Sequence, residues 1–578
     1  MYVKIDLQLK NPASHLQQVA QSEWDSVILS SWFNADDLMN PAPGEVKLSE
    51  PARNILETCS HSLRTGGLFF IYGAPHRLPY YAAALEAQGG EDWKFEFKYW
   101  ISIQLNDRER RKSLYPAHVG LLLFHKVASN KHTSFDVDKV KIPYPDCPAC
   151  GKNIRDWGGK LHMLNPLGVS LSDVWDDLPV RPIAGNRIPG DVLQRVKTLA
   201  TTTGDRMLHV VEGEQEQSIF VRRCGDASIS LASVDTPPSG LDVDRAEIAD
   251  CVSFMEGLLP KYENKAFDLV FADPPYNLDK LYTNYKDIHA VDTYLAWCDK
   301  WLELCARLLK PGGSMYIVNL PKWGMYHART LDRMLDFRHW IVWRALGEPR
   351  GKILPAHYSL LYYTKPGGVP VFNYRGDGGR NCVGPLDSPE YCRRTTCVRR
   401  RKFAGDDRKV PLTDIWSDIY RIRHRRDRDF HPCQLPEKLM ERIIMLSSNQ
   451  GQLVFDPLCG VGTSAVVAKR LGRHFLTTDI DPEYVRISRD KLSRMEFNLQ
   501  ETGECVAPII PVKRRQTPVT RRHAESMVQQ LALELGRMPG LDDVKDADPG
   551  MYDNIDKLYT DPRKVLSAAR IVLNSNNP

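Results

Sequence analysis

Residues 452–479 read QLVFDPLCGVGTSAVVAKRLGRHFLTTD. A short apolar run ends at Phe455-Asp456, a glycine loop follows, a helical pattern opens at Thr463, and a second apolar run ends on Asp479. Glycines in such a loop permit a tight turn and close approach to the backbone, and the helix N-terminus behind them favours a polar or anionic group. Asp479, seventeen residues after Gly462, stands where an acid can hydrogen-bond a ribose hydroxyl. A lone Gly-x-Gly is as readily a structural turn. The full order of strand, glycine loop, helix, strand and acid predicts a site for a nucleoside cofactor.

The surrounding sequence extends this pattern. FDLVFA (267–272), SMYIV (314–318), QLVFD (452–456) and HFLTTD (474–479) are short apolar runs suited to buried strands. Residues 290–309, 325–336, 435–447, 463–471 and 482–495 read as helices. Alternation of the two predicts an α/β fold with a mostly parallel sheet covered on both faces. Asp273-Pro274-Pro275-Tyr276 follows FDLVFA directly. Two prolines fix φ and remove backbone donors, so the loop's carbonyls stay free to accept beside one carboxylate. Tyr276 adds a ring able to stack on a planar base. Such a pocket can hold an exocyclic amino group through both its protons and leave the nitrogen lone pair nucleophilic.

The chain also matches itself. LRTGGLFFI (63–71) pairs with LKPGGSMYIV (309–318), Pro116-Ala117-His118 with Pro355-Ala356-His357, LSDVWDD (171–177) with LTDIWSD (412–418), and IPGDVLQRV (188–196) with LPEKLMERI (435–443). Four ordered matches at offsets of 239–247 residues predict a tandem repeat of one α/β unit. The expected domains are 1–225, 226–510 with an insert at about 367–430, and a linker with a small helical module at 511–578.

Together these words resemble the S-adenosylmethionine-dependent amino-methyltransferases that act on DNA. Asp273-Pro274-Pro275-Tyr276 is similar to that family's catalytic motif, and the stretch from Phe455 to Thr463 to its cofactor loop. His431-Pro432-Cys433-Gln434-Leu435-Pro436 resembles the segment lining the methionine end of the cofactor. The catalytic motif lies 183 residues before the cofactor loop, an order similar to the β class, with the target-recognition region between them. The resemblance covers about 240–500. Leu458 stands where the family usually has an aromatic residue, and Cys433 and Leu435 where it often has Thr or Lys.

The resemblance implies S-adenosylmethionine held by Gln434, Pro436, Asp456, Pro457, Cys459, Gly460, Gly462, Thr463 and Asp479, with Asp250 where the family often has an acid near the cofactor. It implies a base flipped out of double-stranded DNA. Asp273 and the Pro274 carbonyl would accept from its amine, with Tyr276 stacked on it. Asp at the first motif position leans toward N6 of adenine, with N4 of cytosine the alternative. RNA and protein amide methyltransferases share an Asn/Asp-Pro-Pro-Tyr pocket, but usually place it after the cofactor loop and lack a basic insert. The setting stays open between restriction–modification with a separate partner, phage defence and a stand-alone mark.

Against this template the first repeat is degenerate. WDSVILSSWFN (24–34) aligns with FDLVFADPPYN (267–277), so Ser30 stands where Asp273 does. HVVEGEQEQS (209–218) falls at the glycine loop and lacks Gly-x-Gly. The expectation is a repeat that binds no cofactor and packs on the active one as an internal pseudo-dimer, so that the chain can act as a monomer.

Cys147-Pro148-Ala149-Cys150 is a knuckle typical of a zinc half-site, and Cys392 and Cys397 follow at the repeat offset. One zinc shared across the repeats is expected, against separate sites or plain thiols. Basic runs at 392–402 (CRRTTCVRRRK) and 421–428 (RIRHRRDR) suit phosphate and guanine contacts. The tail at about 524–573 is similar to short helical repeats appended to homing endonucleases, which implies DNA binding; a helical cap is the plain alternative.

Composition bounds the rest. With 42% hydrophobic residues in 578, the chain can bury more than one core, which excludes disordered and collagen-like classes. Thirteen cysteines in so long a chain read mostly as reduced thiols. No apolar run nears the ~18 residues of a membrane span and no signal core opens the chain, so a cytoplasmic protein is expected.

Overall fold

The computed structural model describes residues 1–6, 22–90, 92–105, 114–128, 135–154, 165–178, 186–214, 219–221, 237–278, 287–345, 353–374, 386–387, 391–392, 394–406, 409–422, 434–495, 521–535, 537–547, 552, 555 and 565–566. His431-Pro432-Cys433, residues 423–428 of the second basic run, and 511–520 of the linker lie outside the described residues.

Two mixed sheets dominate. The first contains β1 (Tyr2–Asp6), β2 (Trp24–Ser30), β3 (Leu63–Gly73), β4 (Lys94–Gln104), β5 (His118–Val127), β6 (Val174–Trp175) and β7 (Met207–Val211), in the order β1-β7-β2-β3-β5-β4-β6. The second contains β8 (Arg245–Ile248), β9 (Phe267–Ala272), β10 (Leu309–Asn319), β11 (Asp336–Trp343), β12 (Tyr358–Thr364), β13 (Ile415–Trp416), β14 (Leu453–Asp456) and β15 (His474–Asp479), in the order β8-β15-β14-β9-β10-β12-β11-β13. Within each, the strand that follows Pro-Ala-His is antiparallel to both neighbours, and the other pairings are parallel. The order β7-β2-β3-β5-β4-β6 reappears as β14-β9-β10-β12-β11-β13.

Local chemistry explains the second sheet. FDLVFA is buried at every position, as a strand covered on both faces must be. The SMYIV run extends to Leu309–Asn319: Leu309 pairs with Phe267, the ladder resumes at Ser314 opposite Leu269, and Gly312 at φ 77° lies in the irregular stretch between them. The helix expected at 325–336 lies at Pro321–Leu331 instead. Pro321 suits the first helical turn, where no N–H bond is lost, and Asp336 already belongs to β11.

The repeated words meet one another across the two halves. Asp414 accepts from the Ala117 N–H at 2.8 Å and lies 3.1 Å from His118 Nδ1. Reciprocally, Asp173 accepts from the Ala356 N–H at 2.8 Å and lies 3.1 Å from His357 Nδ1. All four side chains are buried. Trp100 on β4 and Trp340 on the equivalent strand β11 stack at 3.9 Å and 3°. The Pro-Ala-His and Asp-containing words therefore form a pair of crossed clasps.

Both sheets lie in one compact unit, Met1–Glu496, and the second unit is Phe497–Pro578. In the second, the helices Arg521–Leu535 and Leu541–Ala547 bury Ala524, Val528, Ala532 and Val544 with Ile555 and Val565. Among the described residues no helix is long and apolar enough to cross a membrane.

Candidate active site

Strands β9 and β14 are parallel neighbours, so both release the chain at the same sheet edge. Asp273 follows the end of β9 and Asp456 ends β14. A cleft opens there, with about 1100 Å³ of empty space including its solvent-open mouth. Asp273, Pro274 and Pro275 line it together with Asp456, Pro457, Cys459, Gly460 and Thr463. Asp250, Gln434 and Asp479 complete the expected residues that line it. Tyr276, Pro436 and Gly462 do not line it.

Gly462 caps the helix Thr463–Arg470 at φ 77°, and a Cβ there would meet Ser488 Oγ at 1.9 Å. Pro436 caps the helix Glu437–Ser447. Tyr276 is buried, its ring 5.6 Å from that of Tyr358, and its hydroxyl donates to Asp273 Oδ1 at 2.6 Å.

The prolines do not leave every carbonyl free. Tyr294 Oη donates to the Pro275 carbonyl at 2.6 Å, and Trp323 Nε1 donates to that of Tyr276 at 2.7 Å. Asn277 follows at φ 53°, a conformation held by its side chain bridging to His289 and by Asp287 accepting from the Asn277 and Leu278 N–H groups. Tyr294 and Trp323 sit on separate helices, so no local spacing announces them.

Acids shape the other wall. Asp479 accepts from the Gly460 N–H at 2.8 Å and the Asp481 N–H at 2.9 Å, which ties the glycine loop to β15. Burial pushes its carboxyl above the usual range. Asp250 accepts from Ser253 N–H and Oγ, both at 2.9 Å, and caps the helix Cys251–Tyr262. Asp456 accepts from Ser464 Oγ at 2.5 Å and the Leu458 N–H at 3.1 Å. Burial, with the charge of Asp479, pushes its carboxyl up to about 7. Asp481 and Tyr484 also line the cleft and were not anticipated. Asp481 was legible as an N-cap before Pro482.

Because the folded pKa of Asp456 lies above its ordinary 3.8, ionisation disfavours the folded state. This contribution is favourable at low pH and is lost as pH rises from about 4 to 7. The ligand-free chain should therefore lose stability across that window through Asp456, and Asp456→Asn should flatten that part of the profile. Unfolding midpoints at pH 5 and pH 8 check it; identical pH profiles for both proteins would refute the assignment.

A protein-family model described as DNA methylase matches residues 267–490. Type II methyltransferase M.HpaI of Haemophilus parainfluenzae is 33% identical over 245 residues, 42% of this chain and 72% of that protein. The chain belongs to the DNA methylase family. Type II methyltransferase M.BamHI of Bacillus amyloliquefaciens is 37% identical over 41% of this chain, which spans about half of that relative's length, 54%. DNA adenine methyltransferase YhdJ of Escherichia coli K12 is 29% identical over 45% of this chain and 85% of that protein. The methylase match includes Asp273-Pro274-Pro275-Tyr276, the glycine loop and Asp479, and leaves out Asp250, Cys147 and Cys150.

At the corresponding edge of the first sheet the described residues form a buried hydrogen-bond network. Glu212, just after β7, is fully buried and accepts from Tyr81 Oη at 2.7 Å and the Trp32 N–H at 2.9 Å. Its carbonyl accepts from Asn186 Nδ2 at 2.6 Å. Ser30 Oγ lies 2.9 Å from His209 Nε2. The sequence places Ser30 where Asp273 stands and no Gly-x-Gly at 209–218, but gives no sign of the contacts that Glu212 makes.

Cys147, Cys150, Cys392 and Cys397 converge as expected, with all four sulfurs within 4.8 Å of one another. The Cys147–Cys397 and Cys150–Cys392 sulfurs are 3.8 and 3.5 Å apart. Zinc–thiolate bonds of about 2.3 Å place tetrahedral sulfurs about 3.8 Å apart. The donor set therefore fits a tetrahedral zinc.

Proposed function

We propose that this methylase transfers a methyl group from S-adenosylmethionine to the exocyclic amine of a base flipped out of double-stranded DNA, N6 of adenine in particular. The observation that carries the reading is that Asp273 and the glycine loop, 183 residues apart, open on one cleft. Each Asp479 oxygen accepts one backbone N–H and keeps a lone pair for a ribose hydroxyl. Ile480, an exposed apolar side chain in the same cleft, offers packing to a base. The cofactor, when bound, supplies an electrophilic sulfonium methyl. Asp273 and the Pro274 carbonyl accept hydrogen bonds from the two amine N–H groups and orient the nitrogen lone pair. Tyr276 holds Asp273 in place through its 2.6 Å hydrogen bond. Rate enhancement then comes from positioning and charge complementarity. Such an enzyme suits the modification arm of a restriction–modification system.

The same reading makes 1–225 a degenerate repeat of the catalytic unit 226–510, with no cofactor of its own, and 511–578 a linker and helical DNA-binding module. Ser30→Ala should leave turnover within about twofold, because the Ser30 hydroxyl, 2.9 Å from His209 Nε2, lies in the other sheet from the cleft that holds Asp273. A loss comparable to that of Asp273→Ala would sink the assignment. A zinc ion on the four cysteines is the second bound group.

The direct test incubates the purified protein with S-adenosylmethionine and mixed-sequence duplex DNA and identifies modified nucleosides by mass spectrometry. N6-methyladenine is the expected product. N4-methylcytosine would move the base assignment and keep the reaction class. Cofactor binding without either product would overturn the DNA substrate.

A further inference from the structure

The cysteine cluster is a small packing core of its own. Among the described residues, the four cysteines pack with buried Tyr391, with Arg401 over its ring and with Ala149 and Ile154 partly buried beside it. Cys147 and Cys150 come from a knuckle in which the Cys150 and Gly151 N–H groups donate to the Cys147 carbonyl. Cys392 and Cys397 come from the other half, the latter on the helix Thr395–Phe403. That helix, TTCVRRRKF, has almost no apolar face. Among the described residues the apolar area buried around this arginine-rich helix is small, and small elements with converging cysteines are commonly held by a metal.

Charge points the same way. Arg401 is 6% exposed, lies over the Tyr391 ring at 4.4 Å, and makes no ion pair among the described residues. A buried cation needs a counter-charge. Four thiolates on a divalent ion carry a net charge of about −2. Arg394 and Arg400 reach from the same segment to the Asn153 and Ala149 carbonyls of the knuckle. With this face spent on the cluster, Arg399, Lys402 and Phe403 are left exposed, Phe403 at 96%. Two cations flanking an exposed ring match the chemistry of nucleic acid, phosphates beside stackable bases.

We infer that zinc on Cys147, Cys150, Cys392 and Cys397 ties the two halves together and seats the helix Thr395–Phe403 as a DNA contact, so that the metal is required for DNA binding and dispensable for cofactor binding. This role rests on the methylase reading for its DNA, and the metal itself does not.

The test uses the full-length chain purified without chelator, elemental analysis, calorimetry with S-adenosylmethionine, and fluorescence anisotropy with a mixed-sequence duplex over a range of salt. Wild type should carry about one zinc per chain. Cys150→Ser, at the least buried of the four, should lose most of it and bind DNA at least about tenfold more weakly, with cofactor affinity within about twofold. The double variant Arg399→Ala/Lys402→Ala should keep its zinc and lower the salt slope by about two. Phe403→Ala should keep its zinc and weaken DNA binding without changing the slope. Wild type without zinc would overturn the inference, as would Cys150→Ser binding DNA normally or losing cofactor and DNA together. Zinc and DNA binding with no cofactor binding would instead sink the methylase reading and leave the metal standing.

Discussion

Asp273→Ala should reduce methyl transfer by about a thousandfold while S-adenosylmethionine affinity stays within a few fold. The carboxylate lines the cleft and is held by Tyr276 Oη at 2.6 Å. Its removal takes away an acceptor that the target amine needs only as it becomes nucleophilic, and losses of about 10²–10⁴ are usual for such groups. No backbone N–H of the glycine loop bonds to it among the described residues, so the cofactor wall should survive. Asp273→Asn keeps one carbonyl acceptor and should fall between. Labelled-methyl incorporation into DNA gives turnover, and calorimetry gives cofactor affinity. Turnover of the alanine variant within tenfold of wild type would remove Asp273 from the chemistry.

Gly462→Ala should act on the opposite wall and show the reverse pattern. The new Cβ would sit 1.9 Å from Ser488 Oγ and 2.6 Å from Ser488 Cβ, at φ 77°. The left-handed backbone costs a non-glycine residue about 1–2 kcal/mol, and overpacking about 1–3 kcal/mol more. If the loop moves to relieve this, cofactor affinity should fall at least about a hundredfold, since ~1.4 kcal/mol is tenfold. Adding Ser488→Gly removes both close atoms and leaves Ser488 Cα at 3.3 Å, so the double variant should recover the packing part but not the backbone part. Unfolding midpoints and cofactor titrations of the three proteins check this. A single variant indistinguishable from wild type would mean the loop does not need its glycine.

The strands and helices around the cleft were legible because each depends on near neighbours. FDLVFA and HFLTTD were placed to the residue, since an apolar run bounded by polar residues leaves a buried strand little choice of register. The helix expected at 325–336 slipped to Pro321–Leu331 because Pro321, not apolar spacing, set its start. At the cleft, eleven of the fourteen expected residues line it. The exceptions play supporting parts: Gly462 packs on Ser488, Pro436 caps a helix, and Tyr276 holds Asp273. Tyr294 and Trp323 escaped notice because a hydrogen bond to a distant carbonyl leaves no mark in local spacing.

The matching words show the division most clearly. At a near-constant offset they predict two α/β units, and the two sheets share a strand order. What those words do was decided in three dimensions. Each Pro-Ala-His meets the aspartate of the other half, so that the matching words satisfy the same buried groups reciprocally. Glu212 is buried under Tyr81 beyond the end of β7, while Asp456 at the end of β14 lines a cleft: the fate of a buried carboxylate depends on which side chains remote elements bring to the strand end. Backbone geometry and strand identity follow from residues a few positions apart. Whether a strand end becomes a cleft or a plug depends on packing between elements far apart in the chain, and only the tertiary structure decides it.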